Sequence, residues 1–189
     1  MKVMVTGHRP PGIGGYDTPN ATEQWVRGAL RSILAGLKER EDDLVAVTGM
    51  ALGADQVFAE ECIRLGIPFI AAVPFRGQES RWPAASQMRY QEIIKQAREI
   101  VVVDEIPAYH SDHFGGKLAC RNKWMVDHSK LTIAVWSGAP GGTARAVEMV
   151  RRRKDRKILR LNPVAQTSTV EEPEPEEDLV MDMFGPGSE

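Results

Sequence analysis

Five short stretches of this chain gather glycine, small hydroxyls and charge in the arrangement an anionic ligand needs. They are Thr6-Gly7-His8-Arg9, the run "TGMALGAD" from Thr48 to Asp55, "PFRGQESRWP" from Pro74 to Pro83, Asp104 with the loop "YHSDHFGG" beyond it, and "SGAPGGT" from Ser137 to Thr143. Each follows a short apolar run. In two of them glycine leads straight into a helical pattern: Gly49 and Gly53 before Ala54, Gly141 and Gly142 before Thr143. The first turn of a helix exposes unpaired N–H groups and a partial positive charge, and glycine lets a phosphate come close to the backbone. Neither turn is the dinucleotide GxGxxG, and no Gly-Lys-Ser/Thr follows to make a Walker loop.

The charged and aromatic candidates each carry two readings. His8 and Arg9 either decorate a loop or meet an anion above the first strand. Gly12, Gly14 and Gly15, with Pro10 and Pro11, then make a flexible flap. Asp55 either complements the dipole of its own helix or contacts a ribose hydroxyl or a base. Arg121 is either a solvated helix residue or a bidentate grip on phosphate, which lysine cannot imitate. Trp82, with Arg76 and Arg81, forms an aromatic and cationic wall against a base. His110, Asp112 and His113 have ligand chemistry, but three polar groups in four residues do not close a tetrahedral metal site by themselves. They read as a solvated lid, and neither a metal nor a cofactor is expected.

The elements that position these residues alternate. Strands are predicted at Lys2–Thr6, Leu44–Thr48, Pro68–Val73, Ile100–Val103, Leu131–Trp136 and Lys157–Leu161. Helices are predicted at Thr22–Arg40, Ala54–Leu65, Ala84–Arg98, Lys117–His128 and Thr143–Arg152. The first helix has Asn20 as N-cap and Glu23 as its capping-box partner, with Trp25, Val26, Ala29, Leu30, Ile33, Leu34 and Leu37 on one face. Gly66 ends the second helix. Mostly apolar strands alternating with helices call for a doubly wound, mostly parallel Rossmann-like α/β sheet, covered on both faces. Ligands of such sheets bind outside the carboxyl ends of the strands, where strand order reverses.

Composition narrows the partners. The 189 residues carry a net charge of −2, yet residues 170–189 hold eight acidic groups and no basic one. The rest is near +6, which suits an anionic ligand and falls short of a duplex-DNA binder. Residues 1–164 are expected to form one Rossmann-like domain, and 165–189 an acidic disordered tail. Cys62 and Cys120 read as buried helix residues in a reducing compartment. With no apolar span and no signal-like start, a cytoplasmic protein is expected, with no membrane partner.

The blocks "VTGHRP", "TGMALGADQVFAEE", "PFRGQESRWP", "RNKWMVDHSKLTIAVW" and "GGT" resemble, in that order, the YpsA-like branch of the SLOG superfamily, over residues 1–161. Relatives of that branch include the DprA/Smf proteins and the lonely-guy (LOG) phosphoribohydrolases. The resemblance implies a Rossmann-like domain that binds a nucleotide or nucleotide-derived small molecule. On that reading Thr6, Gly7, Gly49, Gly53, Ser137, Gly138, Gly141, Gly142 and Thr143 line the ligand site. Arg9 and Arg121 neutralise phosphate, and Trp82 lies beside the base.

The LOG enzymes release a base from a nucleoside 5′-monophosphate with an Arg on the helix before a "PGGxGTxxE" loop and the Glu within it. Arg121 matches that Arg by its place in its block. Gly141, Gly142 and Thr143 match the loop, but the first acid after Thr143 is Glu148, five positions on and more than a helical turn deep. Slow or absent base release is the expectation. Arg121 and Glu148 are the catalytic pair of the alternative, an N-glycosidic hydrolase, with Glu79 and Asp104 as other carboxylates for the role. A second alternative is a DprA-like binder of single-stranded nucleic acid, with Trp82 as stacking platform. Assembly into a homo-oligomer stays open.

Overall fold

The computed structural model describes residues 1–173. Among them a seven-stranded sheet runs in the order β4-β3-β2-β1-β5-β6-β7. The strands are β1 (Lys2–Gly7), β2 (Val45–Thr48), β3 (Phe69–Val73), β4 (Glu99–Val102), β5 (Leu131–Val135), β6 (Lys157–Asn162) and β7 (Thr167–Glu171). The helices are α1 (Ala21–Lys38), α2 (Ala54–Leu65), α3 (Ala84–Ile94), α4 (Phe114–Asp127) and α5 (Gly142–Arg151). The first six strands are parallel and β7 is antiparallel to β6. This is the doubly wound Rossmann-like architecture that the alternation of apolar runs and helical patterns called for.

Strand residues divide between two cores by the period of two that pleating imposes. Val3 and Val5 of β1, with Ala46, Phe69, Ala71, Ile133 and Val135, face Val26, Leu30 and Leu34 of α1 and Val57, Phe58 and Cys62 of α2. Met4, Val47, Ile70 and Ala134 point the other way, onto Trp124 and Met125 of α4 and Val147 and Val150 of α5. The chain winds outward from β1 to β4, then returns through α4 to lay β5 on the other side of β1. The strand order therefore reverses between β1 and β5, and the segments leaving those two strands diverge to opposite faces.

Local chemistry sets the helix ends. The Asn20 side chain accepts the Glu23 N–H at 2.9 Å, a cap worth about 1 kcal/mol. Glu23 does not complete the capping box. Its carboxylate accepts from Arg27 on the next turn and is buried, in an ion-pair network that joins α1 to Glu60 and Glu61 of α2 and Arg89 of α3. Gly66 closes α2 at φ +63°, its N–H returned to the Ile63 carbonyl. Cys62 is buried as expected, whereas Cys120 is only half-buried.

The C-terminal boundary differs from the expectation. Ordered structure does not stop at residue 164: Thr167–Glu171 pairs with β6 as β7, with Leu159 opposite Val170. Its Thr167, Ser168 and Thr169 are exposed, because an edge strand with no helix above it has no apolar face to show. Residues 174–189, the rest of the expected tail, lie outside the described residues.

Candidate functional site

A cavity of about 440 Å³ opens above the carboxyl ends of β1 and β5, at the reversal of strand order. Three segments and one helix face build it. The first is the end of β1 with the loop after it: Thr6, Gly7, His8, Arg9, Pro11 and Gly12. The second is the β2–α2 turn with the first residues of α2, contributing Ala51 and Asp55. The third is the β5–α5 turn, with Ala139, Pro140, Gly141, Gly142 and Thr143. The last wall is one stripe of α4, made of Leu118, Arg121, Asn122 and Met125, whose spacing repeats at one helical face.

The end of β1 is held tightly. A Cβ on Gly7 would strike that of Ala54 and come 2.9 Å from that of Val135, so a side chain here would push α2 and β5 apart. The His8 N–H donates to the Val135 carbonyl at 3.0 Å, and the His8 carbonyl accepts the Ala54 N–H at 3.1 Å. The imidazole Nε2 accepts the Ser137 N–H at 2.9 Å, with the Ser137 hydroxyl also at 2.9 Å. Burial holds the His8 pKa below its ordinary value, which keeps that acceptor unprotonated. His8 thus straps the ends of β1 and β5 together beneath the cavity, while Arg9 stays exposed at its rim.

At the cavity floor Arg121 and Asp55 form a buried pair, with Nη1 and Oδ2 3.5 Å apart. The β2–α2 turn serves both charges. Arg121 Nη1 donates to the Gly49 carbonyl, and Asp55 Oδ2 accepts the Ala51 N–H at 3.2 Å. Between them Met50 takes φ +57°, a conformation long side chains rarely adopt. Gly49 is required for a steric reason, since a Cβ there would overlap the Arg121 guanidinium. Burial pushes the Asp55 carboxyl up and the Arg121 guanidinium down, each opposed by the charge of the other. Among the lining residues Asp55 is the single carboxylate.

The structure brings together nine of the residues singled out in the sequence: Thr6, Gly7, His8, Arg9, Asp55, Arg121, Gly141, Gly142 and Thr143. Gly49 and Ser137 stand one contact behind the wall, holding Arg121 and His8. Gly138 lies beyond it, where a Cβ would come 3.1 Å from Arg160 Nη2. Gly53 turns away from the cavity and borders a smaller one of about 180 Å³ with Glu23 and Arg89.

Two expectations are corrected, those for Trp82 and Arg76, and the pair of the hydrolase alternative is located. Glu148, the carboxylate of that alternative, lies too deep on α5 to reach the cavity, as its distance from Thr143 implies: it is exposed, 3.3 Å from Arg152, and faces a separate depression. Trp82 forms no base wall, because it is half-buried against the core and meets Tyr90 edge-on at 5.6 Å. Arg76 is engaged by Glu105 at the surface, away from the cavity. Arg121 lines the cavity as a buried group paired with Asp55, which excludes the reading as a solvated helix residue. The alternative carboxylates also lie elsewhere, Glu79 against Gln91 and Asp104 against Lys117. His110 sits between Asp104 and Asp112, 3.2 Å from each carboxylate. Sequence reasoning missed the Asp55–Arg121 pairing and the α4 stripe; the stripe was legible as Leu118, Arg121, Asn122 and Met125 at helical spacing.

A doubly wound α/β domain with a lined crevice at its strand-order reversal belongs to the Rossmann-like class by architecture. Residues 3–166 match the model of the YpsA family, described as a YspA SLOG family, and the chain belongs to that family. It is 29% identical over 157 residues to the uncharacterized SPbeta prophage-derived protein YoqJ of Bacillus subtilis, covering 76% of this chain and 91% of that one. It is 23% identical over 192 residues to a UPF0398 protein of Brevibacillus brevis, covering 97% and 98% of the two chains. Among solved structures, DNA processing protein A of Streptococcus pneumoniae superposes with a TM-score of 0.60 at 18% identity, over 85% of this chain and 50% of that one. The Helicobacter pylori protein of the same name, described for its single-stranded DNA binding mode, gives 0.56 at 20%, over 86% and 65%. These structural likenesses establish the shared fold. Among the described residues no helix is long and apolar enough to cross a membrane.

Proposed function

We propose that the chain binds a nucleotide or nucleotide-derived small molecule in the β1/β5 crevice. The observation that carries this reading is the convergence there of an exposed cation, Arg9, a buried Asp55–Arg121 pair and the N-terminus of α5. A phosphate is placed over Gly141, Gly142 and Thr143, where the helix dipole and backbone N–H groups favour negative charge, with Arg9 closing on it from the opposite rim. Asp55 is the acceptor for ligand hydroxyls, oriented by the Ala51 N–H and the Arg121 guanidinium. A volume of about 440 Å³ is in the range of small-molecule pockets.

Base release is the weaker reading, because its carboxylate, Glu148, stands outside the crevice. Asp55 would have to take the part while held in its pair. The test is calorimetric titration of the protein with nucleoside mono-, di- and triphosphates and with free ribose phosphates, alongside mass spectrometry of whatever small molecule co-purifies. Saturable binding of one phosphorylated nucleoside class supports the proposal. Free base appearing over multiple turnovers, and lost in Asp55→Asn, would promote the hydrolase reading instead.

A further inference from the structure

The α4 stripe that walls the crevice does not end at Leu118. One turn before it stands Phe114, the first residue of α4, which is 65% exposed. It precedes Leu118 by four positions and Asn122 by eight, so it continues the same helical face. Because α4 leads into the parallel strand β5, its N-terminus lies at the carboxyl edge, and this continuation runs outward to the rim of the crevice. There Phe114 is braced by the half-buried Phe75, two residues beyond β3, with ring centres 5.5 Å apart and planes inclined by 58°. Lys117 holds the same turn in place. Its ammonium lies 6.0 Å from the Phe75 ring centre and 2.5 Å from the Asp104 carboxylate. The pair is a fixed aromatic surface, backed by protein on one side and open on the other.

We propose that the Phe75–Phe114 pair is a base-stacking subsite of the crevice, so that its ligand carries a planar heteroaromatic base and is not a sugar phosphate alone. This inference rests on the crevice binding a phosphorylated ligand and names the group at the ligand's other end. The order of features along the sheet fits a nucleotide. The phosphate position at the α5 turn follows β5, the hydroxyl acceptor Asp55 follows β2, and Phe75 follows β3. Strands β1 and β2 lie between β5 and β3, so three strand spacings, about 14 Å, part the two ends. A sugar phosphate is too short to bridge them. A base on the sugar supplies the remaining length and a flat face to cover Phe114. Phenylalanine offers no hydrogen-bonding group and every base has a π-face, so the subsite selects for a base without choosing which one. Trp82, turned into the core against Tyr90, cannot fill this role.

The test is calorimetric titration of the full chain, of Phe114→Ala and of Phe114→Trp with purine and pyrimidine nucleoside 5′-phosphates and with ribose 5-phosphate. Phe114 is exposed, so neither substitution should disturb the fold. The parent should bind nucleotides at least about tenfold more tightly than ribose 5-phosphate. Phe114→Ala should lose about tenfold in nucleotide affinity, and Phe114→Trp should restore it, since a larger ring stacks at least as well. A parent that binds ribose 5-phosphate and nucleotides alike would overturn this proposal and leave the phosphate site of the crevice standing. So would an unchanged nucleotide affinity in Phe114→Ala, or a loss that tryptophan does not restore. A change of oligomeric state in Phe114→Ala by light scattering, with nucleotide affinity intact, would reassign the pair to a contact between copies of the chain. No binding of any phosphorylated ligand by the parent would overturn the crevice reading and this one together.

Discussion

Two helix N-termini in this molecule look alike in sequence and are used in opposite ways. Gly53 before α2 and Gly141 before α5 both take positive φ, +97° and +145°, which side chains rarely adopt. Around Gly53 the space is full. A Cβ would strike the His8 carbonyl and lie 3.0 Å from Arg9 Cα, and the Ala54 N–H is consumed by that same carbonyl. Around Gly141 nothing lies within 4 Å of the corresponding position, and Gly142 and Thr143 border the cavity. The α2 turn is a packing joint that anchors the buried Asp55–Arg121 pair. The α5 turn opens onto the cavity with nothing packed over it. A glycine before a helix marks the need for a backbone conformation, and only its surroundings say whether an anion or another loop is what comes close.

The largest expected effect belongs to the joint. Arg121→Ala leaves Asp55 buried without its partner and should lower stability by about 3–5 kcal/mol in urea unfolding. A variant within about 1 kcal/mol of the parent would place Arg121 on the ligand side of the comparison instead. Next, Gly53→Ala should cost more than Gly141→Ala. Both carry the strain of positive φ, about 1–3 kcal/mol, but only the first adds a clash with backbone. Equal losses in thermal melting would erase the distinction between the two turns.

The β1–β5 strap gives a smaller, pH-dependent effect. His8 has a folded-state pKa below 6.5, so the unfolded chain takes up the proton more readily. Its contribution is present above pH 6.5 and is lost as pH falls through the lowered folded value. His110, held between Asp104 and Asp112, has its pKa raised and runs the other way: its contribution is present below 6.5 and fades as pH rises through the raised value. Stability curves of His8→Gln and His110→Gln against pH should therefore depart from the parent's in opposite directions. Parallel curves would show that burial does not lower the His8 pKa in the folded chain.

What the sequence made legible follows from where the physics is local. Apolar periodicity, Asn20 and Gly66 located the helices, because caps and amphipathic faces are written within a few residues. β7 was not legible, since Thr167-Ser168-Thr169 is stabilised by pairing with β6 and by no apolar face of its own. The crevice was half legible. Residues after β1, β2 and β5 line it and those after β3 and β4 do not, and the partners that fix them are 66 to 129 positions away, as Asp55 is to Arg121 and His8 to Ser137. Trp82 misled for the same reason: a tryptophan between charged residues finds Tyr90, eight positions on, once α3 folds over it.

The most direct measurement is titration calorimetry of a nucleoside 5′-phosphate panel against the parent, Arg9→Ala and Thr143→Val. Arg9 is exposed, and Thr143 is buried on α5 rather than at the α2 turn, so neither substitution should disturb the α2 joint. The account predicts saturable binding of at least one nucleotide class by the parent. It also predicts a loss of about tenfold or more in Arg9→Ala, as expected for removal of a charge-assisted contact, and a smaller loss in Thr143→Val. Binding that survives both substitutions unchanged, or no binding of any phosphorylated nucleoside by the parent, would contradict the assignment of the crevice.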